Sequence, residues 1–145
     1  MRKQRHHPPQ ALVPELICSD LAQSLAFYTE VLGFAVRYQR PEEQFVYLER
    51  GGAEIMLEQS AAPRLLAGPL EYPYGRGMNL QIEVTDVDAL CQSATAAGAR
   101  VHIPMEERWY RAGDRLLGNR QFVVLDPDGY LLRFFQDLGE RAVAS

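Results

Sequence analysis

Little in this sequence offers ready-made chemistry. Of its 145 residues, two are cysteine, three histidine and one tryptophan. Cys18 and Cys91 have no CxxC spacing. That argues against a redox pair, and buried free thiols in a reducing cytoplasm are the expected state. His6 and His7 sit in a basic N-terminal stretch, and a two-His tail is a weak metal signal. His102 stands alone on a strand pattern, where a structural role is the ordinary one. No GxSxG elbow, phosphate loop or usefully spaced Cys–His pair is present. Positive charge is also short: 15 Lys and Arg against 19 Asp and Glu leave a net charge of −4. That argues against nucleic acid as the main partner. No apolar run approaches the roughly 20 residues that span a bilayer, so no membrane partner is expected. "MRKQRHHPPQ" is not followed by an apolar signal-type stretch. Residues 1–10 therefore read as a disordered tail on a cytoplasmic protein.

What the chain does hold is a pattern stated twice. With 47% apolar and 23% charged residues it reads as globular. "ALVPELICSD" alternates and ends in Asp20, a strand running into a helix cap. Leu21, Leu25, Tyr28 and Leu32 then recur at helical spacing, and Gly33 supplies the stop. "AVRYQRP", "QFVYLER" and "AEIMLEQ" follow as strands, the last two joined at Gly51-Gly52. After "SAAPRLLAGPLEYPYGRG", a Pro- and Gly-rich linker, the order returns 66 positions on, from Asp20 to Asp86. "MNLQIEVTD" is a strand, "DVDALCQSATAAGA" a helix, and "RVHIPMEER", "NRQFVVLD" and "YLLRFFQ" three strands. Neither half looks large enough to bury a core alone, so the two should pair. The predicted layout is a first module at 11–60, a linker at 61–77, a second module at 78–137 and a C-terminal tail at 138–145. Residues 106–119 read as a long loop.

Three segments, "SDLAQSLAFYTEVLGF", "IEVTDVDAL…AAGARV" and "GNRQFVVLDPDGYLLRF", carry a family likeness. Over residues 11–137 the chain resembles the vicinal oxygen chelate superfamily of glyoxalases, extradiol dioxygenases and bleomycin resistance proteins. The resemblance implies an α+β fold of two βαβββ modules whose curved sheets enclose a cavity. It also implies four metal-ligand positions in the family's metalloenzymes, which match Val13, Glu58, Asn79 and Arg133 here. Only Glu58 keeps a ligand type. A divalent metal needs about three or four protein ligands, so no metal or other cofactor is expected.

Arg133 is the odd residue in "YLLRFFQ", a cation amid apolar neighbours. Standing where a ligand carboxylate would be, it should point into the cavity, either pairing with Glu58 or touching a ligand. Period-two alternation gives the rest of the cavity face. It comprises Val13, Glu15 and Ile17; Glu54, Met56 and Glu58; and Asn79, Gln81 and Glu83, with Glu15 and Glu83 expected near water. Four Glu against one Arg favour a cationic ligand. Tyr47 and, in the predicted loop, Trp109 and Tyr110 would stack on flat groups. The candidate ligand-binding set is thus Tyr47, Glu54, Met56, Glu58, Asn79, Trp109, Tyr110 and Arg133. This chemistry suits the bleomycin-resistance branch. The resemblance then implies homodimers that sequester a cationic, partly aromatic small molecule without catalysis, and residues 8–14 could form an exchanged arm. The alternatives are a lyase- or dioxygenase-like enzyme, metal-free with Glu58 as base or metal-dependent, and a partner-binding module with no small ligand.

Overall fold

The computed structural model describes residues 8–59 and 64–144. Met1–His7, most of the expected tail, lie outside the described residues. Strands β1 (Glu15–Ile17), β2 (Ala35–Arg40), β3 (Phe45–Arg50) and β4 (Ala53–Glu58) form one sheet in the order β1-β4-β3-β2. Strands β5 (Asn79–Glu83), β6 (Arg100–Ala112), β7 (Arg115–Leu125) and β8 (Leu131–Ala142) form the second, ordered β5-β8-β7-β6. Helices α1 (Leu21–Ala26) and α2 (Val87–Ala96) follow β1 and β5. This is the α+β fold of two βαβββ modules. Both sheets curve, but they do not close around one cavity.

Local chemistry starts both helices where the aspartates stand. The Asp20 side chain accepts from Gln23 N at 3.1 Å, and Asp86 accepts from Ala89 N at 3.0 Å. Each cap satisfies one backbone donor that the first helical turn leaves open. α1 runs on into a π-helical turn at Phe27–Val31, which sets Tyr28 fully inside the core. Expected inward positions of β1, β4, β5 and β8 are buried. Leu16, Ile55, Leu57, Ile82, Leu132 and Phe134 are buried on the helix side. The helix-facing sides of both sheets merge into one core that includes Tyr28, Leu32, Leu90 and Phe122. Each large aliphatic or aromatic side chain there contributes about 1.5–3 kcal/mol of transfer free energy. Side chains of both modules contribute to this one core.

The DPDG turn ties the modules together. Asp126 is 2% exposed. Its carboxylate accepts from Tyr28 Oη at 2.9 Å, Asp128 N at 2.9 Å and Tyr130 N at 3.0 Å. Asp128 accepts from both the backbone N and the hydroxyl of Ser19, and Tyr130 Oη donates to Ile17 O at 3.0 Å. Ser19, Tyr28 and Ile17 belong to the first module, so one turn of the second carries most of the polar seam. Gly129 has φ +92°, and a Cβ there would stand 2.5 Å from Pro73 Cβ. Burial pushes Asp126 up to about 6 against the pull of its donors, and drives the Tyr28 phenol well above its ordinary value.

Three expectations need correction. Residues 106–119 are not a loop: β6 and β7 pair directly from Arg100↔Leu125 to Ala112↔Arg115, with a tight turn at Gly113 and Asp114. Charged residues at Glu106, Glu107, Arg108 and Arg111 hide the alternation, because both faces of this extension meet water. Residues 138–142 are strand rather than tail, since β8 continues along β7 to Arg115↔Ala142. The first strand is shorter than expected, although Met56 N→Pro14 O and Cys18 N→Glu58 O extend its pairing by one bond at either end.

Candidate functional site

The single cavity expected from alternation is two separate concave faces in this chain. One belongs to the first sheet and carries Tyr47, Glu54, Met56 and Glu58. The other belongs to the second sheet and carries Asn79, Tyr110 and Arg133. The expected Arg133–Glu58 pair is therefore absent among the described residues, because the two side chains lie on different sheets.

On the first face, registry sets the aromatic residues of β3 beside the acidic and apolar ones of β4. Phe45 pairs with Glu58, Tyr47 with Met56 and Glu49 with Glu54. Glu54 is not a charge open to a ligand. Its side chain is 2% exposed, Arg37 Nη1 meets it at 2.7 Å, and the Tyr47 hydroxyl and Gln10 N also donate to it. Gln10 here bonds its own chain's β4. Arg37 also reaches Glu49 at 3.5 Å and lies 5.0 Å from the centre of the Tyr47 ring. Burial, helped by Glu54 and opposed by Arg37, pushes the Tyr47 phenol up to about 12. Tyr38 stacks on Tyr47 at 5.1 Å, and the Arg40 guanidinium sits 3.9 Å above Phe45. The aromatic rail is thus partly capped by cations of its own sheet.

The free acidity lies at the other end of this face. Glu15 pairs with Met56 and Ile17 with Glu58 across β1 and β4, so Glu15 and Glu58 are diagonal neighbours. Glu15 is pushed up to about 7, chiefly by burial, then by the hydrogen bond and charge of Glu58, with Arg40 opposing. Beside this pair opens a cavity of about 800 Å³. Glu42, Glu43 and Glu58 stand on its wall, and Ile17, Leu66, Leu70 and Tyr74 give it an apolar side. Among the described residues no Lys or Arg lines it, and of its three glutamates Glu43 makes an ion pair, with Arg40 Nε at 2.6 Å.

The second face holds a cavity of about 530 Å³. Arg133 stands on its wall with Tyr110, Phe135 and Gln81. Trp109 does not join them. It lies on the opposite side of β6 from Tyr110, its ring packed where Gly118 has no Cβ and 4.1 Å under the Arg141 guanidinium. Gln121 is buried and donates to Tyr110 Oη at 2.7 Å and to Glu106 at 3.1 Å.

Sequence reasoning missed four features. Arg37 showed in the sequence only as a cation between Val36 and Tyr38, with nothing to name Glu54 as its partner. Glu15 was expected near water, yet it is half-buried and coupled to Glu58. The linker wall of Leu66, Leu70 and Tyr74 had no signal, because a loop's docking is not written in its periodicity. Gln81 was placed on the cavity side but not singled out, and Phe135, two positions beyond Arg133 on the same strand, was passed over.

The comparisons with known proteins bear on this geometry. The model of the glyoxalase/bleomycin resistance protein/dioxygenase superfamily matches residues 10–134. The chain belongs to this superfamily. It is 33% identical over 128 residues to an uncharacterized protein of Mycobacterium tuberculosis, covering 83% of this chain and 70% of that one. It is 25% identical over 135 residues to the bleomycin resistance protein of Geobacillus stearothermophilus, covering 87% and 96%. Among solved structures it resembles TioX from Micromonospora sp. ML1, with a TM-score of 0.65, 26% identity and coverage of 88% and 98%. Of the four positions that the resemblance matches to metal ligands, Glu58 lies on the first sheet, Asn79 and Arg133 lie on the second, and Val13 precedes β1. Among the described residues no group of three or more His, Cys, Asp and Glu is placed so as to hold a metal ion. A donor set with one carboxylate and one cation does not fit a metal centre. Among the described residues, no helix is long and apolar enough to cross a membrane.

Proposed function

We propose that this superfamily member is a binding protein that sequesters a cationic, partly aromatic small molecule, as its likeness to bleomycin resistance proteins suggests. One observation carries the reading. Among the described residues, the cavity of about 800 Å³ has three carboxylates and no cation on its wall, together with Leu66, Leu70 and Tyr74. Such a wall attracts positive charge and takes a flat apolar body against its other side. Glu58 and the adjacent Glu15 supply the charge, and Met56 and Tyr47 extend the floor. Glu54 holds Arg37 and shapes that floor rather than meeting the ligand. On the second face Arg133, Asn79 and Tyr110 offer polar contacts. Trp109 is left out of the site, because it faces the other side of its strand. The protein acts as a homodimer in this reading.

Titration calorimetry with metal-free bleomycin tests it. Saturable binding is expected, weakened about tenfold in Glu58→Gln, since a charge-assisted contact contributes roughly 1.5–3 kcal/mol. Absence of binding would remove the drug. Equal binding by the variant would remove the cavity. A second reading rests on Glu15: a carboxyl titrating near neutrality beside Glu58 suits a general base. Turnover of a superfamily substrate with a pH profile that Glu15→Gln abolishes would favour it.

A further inference from the structure

The second-sheet cavity presents a chemistry that the acidic one does not. Among the described residues, Arg133 makes no hydrogen bond or ion pair, although it stands on the cavity wall. Its Nε is buried without a partner, and so is Oε1 of Gln121. These are a donor and an acceptor on one face of neighbouring strands: Val123 pairs with Arg133, and Gln121 with Phe135. Buried groups left unpaired carry a desolvation cost that a matching ligand group relieves. Two side-chain amides, Gln81 and Asn119, also line the cavity. Each can both donate and accept.

Charge decides what Arg133 can take. An anion would be its ordinary partner, but Glu83, Asp137 and Glu140 line the same cavity. Of these three, among the described residues, only Glu140 makes an ion pair, with the exposed Arg115 at 3.9 Å. The wall is therefore net negative despite Arg133, and it disfavours a free carboxylate or phosphate. A neutral acceptor avoids that repulsion. A carboxamide supplies such an oxygen, and its N–H meets the acceptors that Gln81 and Asn119 offer.

We propose that this second cavity reads an amide group in a cationic ligand. Arg133 donates to the amide oxygen, Gln81 or Asn119 accepts from its N–H, and the acidic rim holds a neighbouring ammonium. Phe135 and Tyr110 carry the apolar body. This deepens the sequestration reading by naming a ligand class, the amide-bearing cation, and rests on that reading for the ligand's charge.

Three small probes separate the possibilities: tryptophanamide, tryptophan methyl ester and tryptophan, each carrying an ammonium group at about pH 6. Affinities come from NMR shift titrations, with the Arg133 Nε–H resonance as reporter. Tryptophanamide should bind about tenfold tighter than the ester, which lacks the N–H, and tighter than the acid, and it should shift the Arg133 signal. Arg133→Met should remove that preference. Because the three probes are first compared on the wild type, the test stands even if the variant folds poorly. Tightest binding by tryptophan would overturn the proposal in favour of a carboxylate site. Equal binding by all three, or by none, would overturn it outright. Bleomycin calorimetry keeps the two readings apart. Amide preference without bleomycin binding would sink only the drug, and bleomycin binding without amide preference would sink only this pocket.

Discussion

Replacing Tyr28 by Phe removes one oxygen from the seam between the modules and leaves the ring in place. The lost bond is the 2.9 Å contact from the phenol to Asp126. Both residues are buried, at 0% and 2% exposure. Asp126 keeps its two backbone donors, so the loss is that of a single hydrogen bond. Its size depends on the charge of the acceptor. A bond to an ionised group contributes about 1.5–3 kcal/mol and a neutral one about 1 kcal/mol. Burial raises Asp126 from 3.8 to about 6. Its carboxyl is therefore ionised at pH 8 and mostly protonated in the native state at pH 5. A raised carboxyl pKa favours the native state below the unfolded value near 4, and that contribution is lost as pH rises through about 6. The phenol opposes the rise, so Tyr28→Phe lifts Asp126 further and deepens the loss at high pH. The variant should lose about 2–3 kcal/mol at pH 8 and about 1 kcal/mol at pH 5. Urea unfolding followed by far-UV circular dichroism at both pH values measures this, and thermal midpoints should fall by about 3 °C per kcal/mol. Equal losses at the two pH values would refute the ionisation argument. A loss under about 0.5 kcal/mol at pH 8 would show that the seam does not depend on this bond.

Other perturbations follow from the same structure. Glu15→Gln should stabilise the protein at pH 8 relative to pH 5 by about 1–2 kcal/mol after solvent screening, because the native carboxyl, raised to about 7, is unfavourable once ionised; urea midpoints across that range check it. Arg37→Met should cost about 3 kcal/mol by stripping the cation from buried Glu54, and Arg37→Met with Glu54→Met should recover much of it in the same assay. Gly118→Ala should displace Trp109, since the new Cβ would stand 2.6 Å from its ring; a shifted fluorescence maximum and a loss of about 1–3 kcal/mol are expected. Light scattering should return twice the chain mass of 16.4 kDa if the protein works as a dimer.

Much of the fold was legible because its signals are local. Asp20 and Asp86 cap helices in any context, and Leu16, Ile55, Ile82 and Leu132 face inward because alternation leaves them no other choice. The β6–β7 extension was not legible. Alternation marks a strand only where one face is dry, and Trp109 to Ala112 has water near both.

The candidate site was legible by strand face but not by partner. Val13, Glu58, Asn79 and Arg133 could be matched to the family's ligand positions from the sequence alone, and so could the chemistry that disqualifies them. Sequence could not tell that Glu54 is neutralised, because Arg37 lies 17 positions away and reaches it only through strand pairing. Nor could it tell that Glu15 leans on Glu58, 43 positions along, across a parallel contact.

By itself, then, the sequence determined the repeated modules, the helix starts and the inward faces. These follow from side-chain type and spacing along one strand or helix. Tertiary structure decided which charges stay free, that Arg133 and Glu58 lie on different sheets, and where the linker walls a cavity. Those outcomes rest on distances between residues far apart in the chain, which periodicity does not encode.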